Sequence, residues 1–147
     1  MSKRIALVED DQALRENYIV ALNKHGYEVQ PYANRHSAEQ AFSEKLPDLA
    51  IIDIGLEDEI DGGFAVCQLL RNLSKTLPII FFTARDNDYD NICGLRMGAD
   101  DYLTKDISLP HLLARIAEIF RRTALLASPQ THTALFKPRA LSLTLQR

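Results

Sequence analysis

Four short apolar runs in this chain each end on residues able to do chemistry. The run over residues 3–8 ends on Glu9-Asp10-Asp11, 49–52 on Asp53, 79–82 on Thr83, and 102–104 on Lys105. Singly these residues are ordinary. An acid after a strand is usually a helix N-cap or a solvated loop residue, a lysine is usually at the surface, and a strand threonine is usually there for its β-branch. Jointly they supply three or four carboxylates, one hydroxyl and one ammonium. Carboxylates brought together repel one another and require a cation. An all-oxygen donor set selects a hard ion, and few carboxylates with room for water suit Mg2+ at about 2.0–2.1 Å. Lys105 and such an ion would neutralise the oxygens of a phosphoryl group, and Thr83 could donate a hydrogen bond to it.

Residues so far apart in sequence meet only if the elements between them bring them to one place. After the first strand, residues 12–24 read as a helix with Leu14, Tyr18, Ala21 and Leu22 on one face and Gly26 as its stop. Residues 27–32 alternate like an edge strand, where Pro31 is tolerated. A short helix over 37–45, a buried strand over 49–52 and a helix over 64–73 follow. The strand over 79–82 is entered through Pro78. A helix over 89–97 stops at Gly98, a fifth strand covers 102–104, and the last helix runs over 109–122. Ser108 is that helix's N-cap candidate, with Pro110 in its first turn. The pattern is β-α five times. Apolar runs without alternation imply strands buried on both faces, hence a parallel sheet with helices on each side. In such a sheet ligands sit outside the carboxyl ends of the strands, at the point where the strand order reverses.

The 147 residues hold one domain's worth of sequence plus a short appendage, with 46% hydrophobic and 25% charged residues. That composition excludes a disordered chain, a collagen-like chain and a coiled-coil rod. No apolar run approaches the ~18–20 residues a membrane helix needs, and the N-terminus has no apolar leader, so a cytoplasmic protein is expected. Cys67 and Cys93 fit no metal spacing and are expected to pack as reduced thiols. Charge is unevenly spread. Residues 1–118 carry 12 Lys and Arg against all 20 Asp and Glu, a balance of −8, whereas 119–147 carry five basic residues and no acid. Residues 128–133 read as a linker, and 141–145 alternate like a strand barely begun. The expectation is a domain over 1–122, with 123–147 the linker and start of a further domain cut short.

The matching stretches Leu7-Val8-Glu9-Asp10-Asp11, Leu49-Ala50-Ile51-Ile52-Asp53, Phe82-Thr83-Ala84-Arg85 and Gly98-Ala99-Asp100-Asp101-Tyr102-Leu103-Thr104-Lys105 resemble the receiver domains of two-component response regulators. The resemblance implies a flavodoxin-like, doubly wound (βα)5 fold with strand order 2-1-3-4-5. It implies that Asp53 accepts a phosphoryl group from a sensor histidine kinase. Mg2+ would be held by Glu9, Asp10, Asp53 and the backbone carbonyl of Gly55. Thr83, Ala84 and Lys105 would bind the phosphoryl group, and Tyr102 would turn inward behind Thr83. The closer resemblance is to winged-helix regulators of the OmpR/PhoB type, near whose pattern Leu112-Leu113-Ala114-Arg115-Ile116 also falls. In that group active receivers form homodimers, so Asp100 and Asp101 would meet Arg115 and Arg122 of a partner chain, and DNA would be bound through a C-terminal domain. Arg115 and Arg122 are seven positions apart and share a helical face.

Three departures from the family pattern bear on this. Asp106 stands where the family usually has a proline after the lysine. The loop after Asp53 (Ile54 to Gly63) lacks the family's proline and is about one residue longer than usual. Its acids Glu57, Asp58, Glu59 and Asp61 could recruit a kinase, tune Mg2+ or simply keep the loop solvated, the last being favoured. The family's third interface pair falls at Asn91 and His111, which cannot form a Lys–Glu bridge. A stand-alone receiver acting by protein contact is the alternative function, and the strand-like ending argues against it. A Mg2+-dependent phosphatase would want an aspartate two residues beyond the nucleophile, where this chain has Gly55.

Overall fold

A computed structural model describes residues 2–127. The linker expected over 128–133 and the strand expected over 141–145 lie outside the described residues. The elements are β1 (Arg4–Val8), α1 (Gln12–Lys24), β2 (Glu28–Tyr32), α2 (Arg35–Glu44), β3 (Leu49–Ile52), α3 (Gly62–Leu73), β4 (Ile79–Thr83), α4 (Asp88–Arg96), β5 (Asp101–Thr104) and α5 (Leu109–Ala127). The chain divides after Ile107: the first unit holds all five strands and four helices, the second holds α5.

The sheet is parallel throughout and ordered β2-β1-β3-β4-β5, as the resemblance implied. Strand alternation splits its side chains between two faces. Ala6, Val8, Ala50, Ile52, Ile79 and Phe81 face one way and form a core with Ala38, Phe42, Phe64, Val66, Cys67 and Leu70 of α2 and α3. Phe82 faces the other way and packs at a tilt against Tyr18 of α1, ring centres 5.1 Å apart. Helices therefore cover both faces of the sheet. Side chains of this size stabilise the fold by roughly 1.5–3 kcal/mol each when fully buried. On the first face α4 comes close because of Gly94: a Cβ there would stand 2.8 Å from the Phe81 ring. No described helix is long and apolar enough to cross a membrane.

Boundaries differ from the sequence reading where caps decide them. Helix α2 starts at Arg35 because the Asn34 side chain accepts from Ser37 N, and α4 starts at Asp88 because Asn87 accepts from Asp90 N. In the second unit Ser108 Oγ accepts from His111 N at 3.2 Å, as expected of the N-cap. Helix α5 runs to Ala127, not 122. The apolar period fails there, with Leu125 and Leu126 exposed, but Ala and Leu are strong helix formers and carry the helix on regardless. The boundary expected after residue 122 therefore falls inside a helix.

Candidate functional site

Strands β1, β3 and β5 each end one residue before a candidate residue: Glu9, Asp53 and Lys105. Asp53 N bonds Val8 O at 3.0 Å and Lys105 N bonds Thr83 O at 2.9 Å. Glu9, Asp53 and Lys105 are thereby aligned along one edge, with Thr83 the last residue of β4. The backbone behind Asp53 is held by Gly63, whose N–H bonds Ile54 O at 2.7 Å and whose Cβ, if it had one, would lie 2.0 Å from Asp53 O.

Glu9, Asp10 and Asp53 each bring a carboxylate oxygen within 4.8 Å of the others. Asp11 does not join them. Its side chain accepts from Leu14 N at 3.1 Å and caps α1, so the cluster holds three carboxylates rather than four. Lys105 Nζ lies 2.6 Å from Glu9 Oε1 and 2.6 Å from Asp53 Oδ2. Glu9 is 2% and Asp53 8% exposed. Burial pushes the Glu9 carboxyl above its usual range, against the hydrogen bonds from Lys105 and Asp11 N. Burial alone would lower the Lys105 ammonium, but its hydrogen bonds to Asp53 and Glu9 outweigh that and raise it. One ammonium against three carboxylates leaves an excess of negative charge, and an all-oxygen set of this kind fits a hard divalent cation. Gly55, half-buried two residues past Asp53, flanks the cluster, and a Cβ on it would stand 3.7 Å from Ile60 O.

Thr83 is buried, and its Oγ1 accepts from Arg85 N at 3.3 Å. Ala84 is exposed. The Tyr102 ring packs 6.2 Å from Phe81, and its hydroxyl donates to Arg85 O at 3.0 Å. Burial, with Asp90 nearby, pushes that phenol up to about 12, so it remains a donor. Beyond Lys105, the Thr104 hydroxyl bonds Asp106, and every described peptide bond is trans, the Lys105–Asp106 bond included.

The acidic loop is less free than its composition suggests. Leu56 is buried and bridges Glu59. Glu59 is gripped by Arg35, which also pairs with Glu39. Asp61 pairs with Arg85 at 2.9 Å. All four acids are exposed, as the solvated reading of the loop has it, and two of them also pair within the chain. Glu57 adopts φ 55° and donates its N–H to Asp10 Oδ2 at 2.8 Å, a link that side-chain types did not signal.

Of the residues expected at a dimer interface, Asp100 is engaged within its own chain: Oδ2 accepts from Ile79 N at 2.8 Å and pairs with Arg71 at 3.3 Å. Asp101 Oδ1 accepts from Tyr102 N. In α5, Arg115 is half-buried and Arg122 is exposed, the latter 4.0 Å from Glu118. Sequence reasoning gave no role to Arg71, Arg85 or Asp90, although Arg85 stands in a motif it quoted.

A family model described as the response regulator receiver domain matches residues 5–117. Response regulator MprA of Mycobacterium ulcerans is 39% identical over 125 residues, covering 85% of this chain and 53% of that protein. The virulence transcriptional regulatory protein PhoP of Salmonella typhi is 34% identical over 134 residues, covering 91% and 59%. The chain thus spans about half the length of these relatives. Among solved structures, the BeF3-activated N-terminal receiver domain of Klebsiella pneumoniae RstA superposes with a TM-score of 0.74 at 34% identity, covering 80% of this chain and 98% of that one. A CheY-like receiver domain protein from Methanospirillum hungatei gives 0.77 at 26% identity, covering 84% and 98%.

Proposed function

The chain belongs to the family of response regulator receiver domains, and from that premise we propose that Asp53 takes a phosphoryl group from the phosphohistidine of a sensor histidine kinase, with Mg2+ bound beside it. The domain is a phosphoacceptor signalling module rather than a classical enzyme. One observation carries the reading: Lys105 Nζ stands 2.6 Å from both Glu9 and Asp53 in a cluster that Asp10 completes. A bond forms between an Asp53 carboxylate oxygen and phosphorus as the bond from phosphorus to the donor imidazole nitrogen breaks. Lys105 exchanges a carboxylate for a phosphoryl oxygen, and the Thr83 hydroxyl turns to another, with the exposed Ala84 beside it. Glu9, Asp10, Asp53 and the Gly55 carbonyl would hold Mg2+, which would supply charge neutralisation on the phosphoryl oxygens.

The new charge at one strand end biases a two-state element. Thr83 leaves the Arg85 N–H, Tyr102 adjusts behind it, and two chains pair through Asp100 and Asp101 of one and Arg115 and Arg122 of the other. Transcriptional control would follow through a DNA-binding domain like those of the longer relatives.

The test is to incubate the chain with Mg2+ and acetyl phosphate and weigh it intact. One phosphoryl mass is expected, and none on Asp53→Asn. Failure of the parent chain to gain it, or a gain that survives Asp53→Asn, overturns the assignment.

A further inference from the structure

We propose that Arg85 is the positioning residue of the Thr83/Tyr102 switch, and that it couples the switch to the loop after Asp53. The inference rests on the reading of Thr83 and Tyr102 as the responding pair. Both hydroxyls bond to the main chain of this one residue, Thr83 Oγ1 to its N–H at 3.3 Å and Tyr102 Oη to its carbonyl at 3.0 Å. What fixes the Arg85 main chain therefore fixes both.

Its guanidinium is anchored on two separate segments. On the loop it pairs with Asp61 at 2.9 Å and donates to Ile60 O. On α4 it lies 3.5 Å from Asp90 Oδ2. Asp90 is 7% exposed, and Asn87 Nδ2 donates to the same oxygen at 2.8 Å. A carboxylate so buried is costly to leave without a cation, so Arg85 does not depart from α4 lightly. The arm on Asp61, whose side chain is 66% exposed, is the weaker one. The loop end of the clamp can move while the α4 end holds.

Arg85 is thus a lever with its fulcrum at Asp90. Displacement of the loop, on which Ile60 is 76% exposed, shifts the guanidinium, then the Arg85 peptide groups, then the hydroxyls of Thr83 and Tyr102. The coupling needs no contact between Arg85 and a phosphoryl group. It also gives the exposed Asp61 a role beyond solvating its loop.

The test uses the full chain carrying 3-fluorotyrosine, read by fluorine NMR without any phosphodonor, with the Tyr102 signal assigned through Tyr102→Phe. Arg85→Gln and Asp61→Asn are each expected to shift the Tyr102 signal in the same direction. The double variant is expected to shift no further than Arg85→Gln alone, because Asp61 acts only through Arg85. Arg85→Lys, which keeps the charge but cannot reach two carboxylates and a carbonyl at once, is expected to fall between. A Tyr102 signal unmoved by Asp61→Asn, or shifts that add in the double variant, overturns the proposal. Should Arg85→Gln fail to fold, Asp61→Asn still decides it. Acetyl phosphate labelling of the parent chain is run alongside. Its failure sinks the phosphoacceptor reading while the Tyr102 result stands or falls separately.

Discussion

Gly63 and Asp53 are ten positions apart in sequence and in contact in the fold, the Gly63 Cα pressed so near the Asp53 carbonyl that an added methyl would lie 2.0 Å from its oxygen. The contact is backbone against backbone, so no rotamer change relieves it. Gly63→Ala is expected to destabilise the domain by about 2–4 kcal/mol, measured by urea unfolding. It is also expected to slow acetyl phosphate labelling of Asp53, because the strain falls on the phosphoacceptor's own peptide.

Lys105 neutralises part of a buried carboxylate cluster, so its removal has two signatures. Lys105→Ala leaves Glu9 and Asp53 without their ammonium partner, which for a buried pair costs roughly 3–5 kcal/mol. A divalent cation then becomes the main source of neutralisation. Added Mg2+ is expected to raise the melting temperature of Lys105→Ala more than that of the parent, because ligand binding to the folded state adds directly to stability. Equal Mg2+ responses in a thermal melt would contradict this.

Burial in its site pushes the Glu9 carboxyl toward its neutral form, against the Lys105 ammonium and the Asp11 N–H that favour the carboxylate. Its folded pKa lies above the unfolded value of 4.5. Such a group contributes stability below the unfolded pKa and loses it as pH rises through the folded one. Glu9→Gln is fixed in the neutral form and escapes that loss. The variant is expected to gain on the parent as pH rises from about 4 to about 7, while binding Mg2+ more weakly. Urea titrations at the two pH values check the sign.

The two neighbouring aspartates at the start of β5 are expected to behave differently. Asp100 braces its own chain, through Ile79 N and Arg71. Arg71 in turn donates to Gly98 O and Ser74 O. Asp100→Ala is expected to lower stability by about 1–3 kcal/mol, the cost of leaving the buried Ile79 N–H without an acceptor. Asp101→Ala is expected to cost less stability and more dimer, read by sedimentation with Mg2+ and beryllofluoride. A dimer equally weakened by both would show that the Arg71 brace yields on pairing.

The strands and the residues beyond them were legible because a parallel sheet leaves a one-dimensional trace: an unalternated apolar run, then a polar residue that must stand at the sheet's edge. Glu9, Asp53, Thr83 and Lys105 were found that way, and the structure gathers them along that edge. Arg85 and Asp61 were not, because an ion pair between two loops 24 positions apart has no period and no required spacing. The Glu57 N–H on Asp10 Oδ2 is a main-chain link, invisible to side-chain type. The C-terminal extent of α5 escaped for the opposite reason: propensity carried the helix past the point where amphipathic patterning stopped.

The ladder bonds that end at Asp53 and Lys105 set where these residues stand by counting from the sheet, independently of the loops beyond them. A loop can then differ in length or charge without displacing the residue that precedes it. Inheritance is free to revise the loops by insertion and charge while the reacting groups keep their coordinates. A lineage of such domains can diversify in what it listens to without relearning how to answer.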